Sequence, residues 1–190
     1  LFYHADKGYY SNNTVTANIL SYELGLVPDD EKERVMANIV EVTTNTFDSH
    51  VSCGVLGIQH LMRGLTRNGH AELAYTIATQ TSYPSWGYML RHGATTIWER
   101  WNSYTIETGM HPHGMNSFNH YAYGSVCEAI FGYVCGLRAA APGWRRVTVE
   151  PHPSWQMSRA SLTLEGIVAP EGGEISQRSP HPLTPPMGGE

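Results

Sequence analysis

The chain has 190 residues, 41% of them hydrophobic and 11% aromatic, with a charged fraction of only 15%. That composition belongs to a folded core and excludes a wholly disordered chain. Twelve Lys and Arg against 17 Asp and Glu leave a net charge of −5 without a basic run, which argues against a nucleic-acid partner.

The first residues, Leu1-Phe2-Tyr3-His4-Ala5-Asp6-Lys7, carry neither an initiator Met nor a signal-peptide pattern. They read as the interior of a longer protein, and localisation is not legible in them. No apolar run approaches the ~20 residues of a membrane span, so no membrane partner is expected.

Thr14 to Leu26 carries Val15, Ile19, Tyr22 and Leu26 at helical spacing, with Asn13 as candidate cap. Pro28-Asp29-Asp30 opens a second predicted helix with Val35, Met36, Ile39 and Val40 as its apolar stripe. Its mixed cluster, Asp29 to Arg34, reads as an acidic, solvated helix start favoured by the dipole. A third helix runs from Gly54 to Arg67 through Val55, Ile58, Leu61, Met62 and Leu65, and Asn68-Gly69 is a natural stop. Ala71 to Thr79 forms a fourth, and Trp86, Met89 and Leu90 mark a fifth after Tyr83-Pro84.

Between His92 and Met115 the helical period disappears, and Trp, His, Asn and Gly accumulate. A connection this long in a compact domain is usually functional or disordered, and its aromatic content argues against disorder. Period four then returns with Phe118, Ala122, Val126, Ile130 and Val134, Leu137 extending the face. Gly124, Ser125, Ala129 and Gly132 would permit close helix approach, and packed consecutive helices bury such faces most simply. If Cys127 and Cys135 share that helix, eight residues separate them by ~12 Å, beyond the ~7 Å reach of a disulfide.

From Trp144 the period becomes two. Arg146 to Glu150 and Arg159 to Glu165 alternate as half-buried strands do, after a Pro142-Gly143 boundary. From Pro170 onward Pro, Gly, Ser and Glu dominate, and disorder is expected. The predicted organisation is therefore helical over 1–141, the start of a β domain over 142–168, and a disordered tail over 169–190.

Glu99 stands in Thr95-Thr96-Ile97-Trp98-Glu99-Arg100-Trp101. A carboxylate between two Trp suits carbohydrate chemistry, because aromatic faces stack on sugar C–H faces while the carboxylate serves as base or nucleophile. The bland alternative is an ion pair with Arg100 and two core Trp. His120, beside Asn119, can donate to a sugar hydroxyl or a carboxylate; its bland alternative is a capping or buried structural histidine. His111-Pro112-His113 is a weak metal signal without a supporting carboxylate or Cys cluster, so no metal or cofactor is expected.

Four strings together carry a resemblance. Gly54-Val55-Leu56-Gly57-Ile58-Gln59-His60-Leu61-Met62-Arg63-Gly64-Leu65-Thr66-Arg67-Asn68-Gly69 is followed by Tyr83-Pro84-Ser85-Trp86-Gly87-Tyr88-Met89. Then come Gly93-Ala94-Thr95-Thr96-Ile97-Trp98-Glu99-Arg100-Trp101 and Met115-Asn116-Ser117-Phe118-Asn119-His120. In this order they resemble bacterial α-L-rhamnosidases of glycoside hydrolase family 78, over roughly Ser11 to Ile167. The resemblance implies a mainly α fold: the C-terminal part of an (α/α)6 barrel, followed by the start of a β-sandwich. It implies hydrolysis of terminal α-L-rhamnose from glycosides with inversion, Glu99 as general base and His120 as a substrate-binding residue. The family's general acid lies upstream of these motifs, and neither Glu107 nor Asp6 is assigned that role. These residues alone are therefore expected to be inactive. Another (α/α)6 glycosidase and a non-catalytic truncated product are the competing readings.

Overall fold

The computed structural model describes residues 2–112, 114–163 and 174–177. The chain is mainly helical and divides into two compact units, Leu1–Val126 and Cys127–Glu190. In the first unit a two-residue hairpin, β1 (Tyr3–His4) with β2 (Tyr9–Tyr10), precedes α1 (Val15–Glu23). Then follow α2 (Lys32–Glu41), α3 (Ile58–Arg67), α4 (Ala71–Thr79) and α5 (Trp86–Arg91). Helix α1 packs against both α2 and α3, α3 against α4, and α4 against α5.

The apolar stripes explain that packing. Val15, Ile19, Val35, Ile39, Ile58, Leu61, Leu65 and Ile77 are all almost wholly removed from water, each worth roughly 1.5–3 kcal/mol of transfer free energy. Leu26, Val55 and Leu90, expected on the same stripes, are exposed. Leu26 and Val55 fall outside the helices that form, so the period does not govern where they point. Helices α1 and α3 approach tightly at Gly64, where a Cβ would lie 2.6 Å from Ile19 Cδ1 and push that side chain aside. Beside it, the Glu23 carboxylate receives Arg63 Nε at 2.7 Å. The glycines expected to allow close approach are less crowded: a Cβ on Gly124 or Gly132 would meet only ordinary or slightly tight contacts.

Thr14, not Asn13, caps α1, accepting from the Ala17 N–H. Asn13 adopts a left-handed backbone with φ 59°, and its Oδ1 accepts from Asn18 and Asn38 side-chain amides at 2.9 and 2.7 Å. Asn18 is fully buried, and its Oδ1 accepts the Tyr10 N–H. This polar knot joins β2, α1 and α2, with each amide satisfied by a partner, as a buried position requires. Asp29–Glu31 forms a 3₁₀ turn ahead of α2, and α2 ends in a π-helical turn, Val42–Thr46. Asn68 and Gly69 (φ 87°) terminate α3 as the sequence anticipates.

The single long helix expected from Phe118 to Leu137 does not form. Instead come a 3₁₀ turn (Ala122–Ser125), α6 (Val126–Ala129) and a π turn (Ile130–Val134). Apolar residues at every fourth position do not distinguish bonding to the third, fourth or fifth neighbour, and glycines at 124, 132 and 136 weaken the regular helix.

In the second unit β5 (Leu137–Ala139) pairs antiparallel with β6 (Arg146–Val149), Arg138 opposite Thr148. The third strand is β7 (Glu174–Gln177), parallel to β6 with Val147 opposite Ile175. The strand expected over 159–165 is absent from its described part, 159–163. β7 instead lies in a segment expected to be disordered, because backbone pairing to an open edge needs no apolar face. The rest of that tail lies outside the described residues. All three cysteines are free.

Candidate functional site

The loop between α5 and the 3₁₀ turn carries both candidate residues. It leaves α5 at Gly93 (φ 84°) and runs through Trp98-Glu99-Arg100-Trp101. It then makes a hairpin, β3 (Tyr104–Thr105) with β4 (Gly109–Met110), and returns through Met115 to His120. The two arms are laced together. The Glu99 N–H donates to Ser117 O at 2.9 Å, and the His120 N–H donates to Ile97 O at 2.8 Å. Thr96 Oγ1 donates to Phe118 O. The hairpin neck is closed by the His111 N–H to Ser103 O at 2.9 Å and Arg100 Nε to Met115 O at 2.9 Å. Asn116 Nδ2 adds a bond to the same Ser103 carbonyl.

Glu99 is half-buried, and its Oε2 accepts the Ser117 N–H at 2.9 Å. Oε1 accepts no hydrogen bond among the described residues. One oxygen is therefore fixed by backbone while the other is available to a ligand or water. Arg100 does not pair with it; that guanidinium is turned to the Met115 carbonyl. His120 is also half-buried, and its Nδ1 accepts the Ala122 N–H at 3.3 Å. A backbone N–H can donate only to an unprotonated nitrogen, so the neutral ring carries its proton on Nε2 and is a donor there. The structure thus brings the two sequence-predicted residues onto adjacent arms of one loop.

The flanking tryptophans follow the core alternative and not the sugar-stacking one. Trp98 and Trp101 are only 3% and 8% exposed, so neither presents a free face for a sugar. Trp98 meets Phe118 edge-on at 5.5 Å. Trp101 lies 4.0 Å from Tyr123 and edge-on to Trp86 at 5.2 Å, and Trp86 Nε1 donates to Tyr123 O. Burying an indole gains more than stacking it in water, and these contacts anchor the loop to α5 and the 3₁₀ turn. Sequence reasoning overlooked Ser117, Thr96 and Tyr123 as anchors. Ser117 and Thr96 sit inside the motifs, but their backbone and hydroxyl bonds leave no compositional signal.

Glu107 sits at the hairpin turn, exposed. Its own backbone N–H, the Thr105 hydroxyl and His92, 3.7 Å away, hold its carboxyl below the usual range despite partial desolvation. His113 lies outside the described residues. Among the described residues no three His, Cys, Asp or Glu side chains gather to hold a metal ion, and no helix is long and apolar enough to cross a membrane.

Residues 1–134 match the family described as bacterial alpha-L-rhamnosidase 6 hairpin glycosidase domain. The alpha-L-rhamnosidase of Streptomyces avermitilis is 36% identical over 177 residues, covering 93% of this chain and 17% of that protein. That of Alteromonas sp. (strain LOR) is 34% identical over 162 residues, covering 85% of this chain and 17% of its own length. Among solved structures, the Streptomyces avermitilis enzyme complexed with L-rhamnose superposes with a TM-score of 0.75 and 38% identity, over 80% of this chain and 15% of that one. The Aspergillus terreus enzyme gives 0.74 at 33% identity, over 80% of this chain and 18% of that one.

Proposed function

We propose, since this chain belongs to the bacterial α-L-rhamnosidase family of six-hairpin glycosidases, that the protein hydrolyses terminal α-L-rhamnose from glycosides with inversion. The chain spans 17% of the length of the Streptomyces avermitilis relative, so the activity is proposed for the whole protein. Residues 1–141 are read as the C-terminal part of its barrel domain and 142–168 as the opening of a β-sandwich.

Glu99 is the general base in this reading, and one observation carries it. Its carboxylate is pinned through Oε2 by the Ser117 N–H, leaving Oε1 to take a proton from water. As that O–H bond breaks, the water oxygen bonds to the anomeric carbon from the face opposite the leaving group. The glycosidic C–O bond breaks, and the leaving oxygen takes a proton from a second carboxyl. Inversion asks for roughly 6.5–9.5 Å between the two carboxyls, room for that water. By the family resemblance the second carboxyl lies upstream of these motifs. His120 supports the pose by donating from Nε2 to a rhamnose hydroxyl, on the arm that the Ile97 carbonyl ties to the Glu99 segment. The substrate is accordingly a rhamnose-terminated glycoside or polysaccharide.

The test is a panel of nitrophenyl glycosides with the whole protein, the first-formed product followed by NMR. Release from the α-L-rhamnoside with β-L-rhamnose appearing first is expected. Cleavage of an α-L-fucoside or α-glucoside in preference to the rhamnoside would overturn the reading.

A further inference from the structure

Trp98 and Trp101 are buried, so any aromatic platform at this site has to come from elsewhere. Tyr121 is 89% exposed, the most open large hydrophobic side chain among the described residues. A lone exposed tyrosine would call for no account, but this ring lies over a residue of the site. Its plane lies within 9° of the His120 imidazole, the ring centroids 5.4 Å apart. The rings therefore stack in parallel, offset planes: the tyrosine lies over the histidine and leaves its own far face open to solvent. The backbone beneath is fixed at both ends, by the His120 N–H on Ile97 O and by the Gly124 N–H on Tyr121 O.

We propose that Tyr121 is a specificity-determining residue: its exposed ring stacks against the group to which the terminal rhamnose is joined. The inference rests on His120 contacting the rhamnose. When a terminal sugar is held by that histidine, the remainder of the glycoside has to emerge toward solvent, where the next flat surface is the phenol ring. The ligand chemistry is a flat apolar face, supplied either by an aryl leaving group or by the C–H face of a second pyranose.

The experiment measures kcat/KM for the whole protein with Tyr121→Ala and Tyr121→Phe. The substrates are nitrophenyl α-L-rhamnoside, a rhamnosyl-glucose disaccharide and methyl α-L-rhamnoside, which has no face to stack. For Tyr121→Ala the loss on the aryl substrate or the disaccharide is expected to exceed the loss on the methyl glycoside by roughly 3- to 10-fold. Whichever of the two suffers more identifies the source of the flat face, and Tyr121→Phe restores most of the loss. Inhibition by free L-rhamnose, which has no leaving group, is the internal comparison and is expected to change less than KM. Equal losses on all three substrates, or none, would overturn the inference. Failure of the unmodified protein to cleave any rhamnoside would instead overturn the functional reading beneath it. Should Tyr121→Ala prove insoluble, Tyr121→Gln removes the ring while keeping a polar side chain, and the same ratios decide.

Discussion

Glu99 and Ser117 are bonded to each other twice. The Glu99 N–H donates to the Ser117 carbonyl, and the Ser117 N–H donates to the Glu99 carboxylate, both at 2.9 Å. The backbone bond fixes where the residue sits, and the side-chain bond fixes which way its carboxylate turns.

Glu99→Gln is expected to lower turnover of the whole protein by at least ~100-fold, the usual loss when a general base is removed. The amide oxygen can still accept the Ser117 N–H, so binding of free L-rhamnose is expected to survive. Calorimetry with rhamnose, beside a rhamnoside assay, separates the two effects. Near-normal turnover would remove Glu99 from the mechanism.

Trp101→Ala is expected to destabilise the first unit by about 3–5 kcal/mol, as large-to-small changes in cores do. It empties the space between Trp86 and Tyr123. Urea unfolding is the measurement. Unchanged stability combined with lost rhamnose affinity would instead make this indole a sugar platform.

Gly136→Ala is expected to destabilise the second unit by at least about 1–3 kcal/mol, the cost of overpacking. The residue has φ 76°, and a Cβ there would lie 2.2 Å from the Glu150 carbonyl carbon and Pro151 nitrogen. Those are backbone atoms, and they cannot rotate aside. Loss of β5–β6 amide protection in hydrogen exchange would report the damage, whereas wild-type protection would contradict it.

Burial pushes the Cys53 thiol up from 9.0 to about 11, opposed by the Thr16 hydroxyl. Folding therefore favours the neutral thiol. Its contribution to stability is complete below pH 9 and declines as pH rises from 9 toward 11, because the unfolded chain ionises first. A thiol-specific reagent at pH 8 is expected to modify exposed Cys127 quickly and Cys53 only on unfolding. Comparable rates at the two positions would show that the α3 end of the core opens readily.

Much of the helical unit was legible in the sequence because its signals are local. Ala71–Thr79 forms over the residues that the apolar period delimits, and Asn68-Gly69 ends α3 where left-handed tolerance allows it. The hairpin at Tyr3–His4 and Tyr9–Tyr10 was not legible, since two-residue strands carry no alternation. The orientation of Trp98 and Trp101 was also hidden: a tryptophan beside a carboxylate reads alike whether its ring faces sugar or core. Glu99 and His120 could be singled out by residue type and context. What holds their arms together is mostly backbone hydrogen bonding, and that leaves no trace in composition.

The closed neck of the β3–β4 hairpin has a consequence for how this loop can diverge. Ser103, Arg100, Met115 and Asn116 fasten its base, while Ile106 in the turn at its far end is 68% exposed. Residues beyond the fastening do not transmit their length to Glu99. The hairpin tip is therefore a tolerant insertion point, where added or deleted residues alter what projects into solvent while the carboxylate keeps its address.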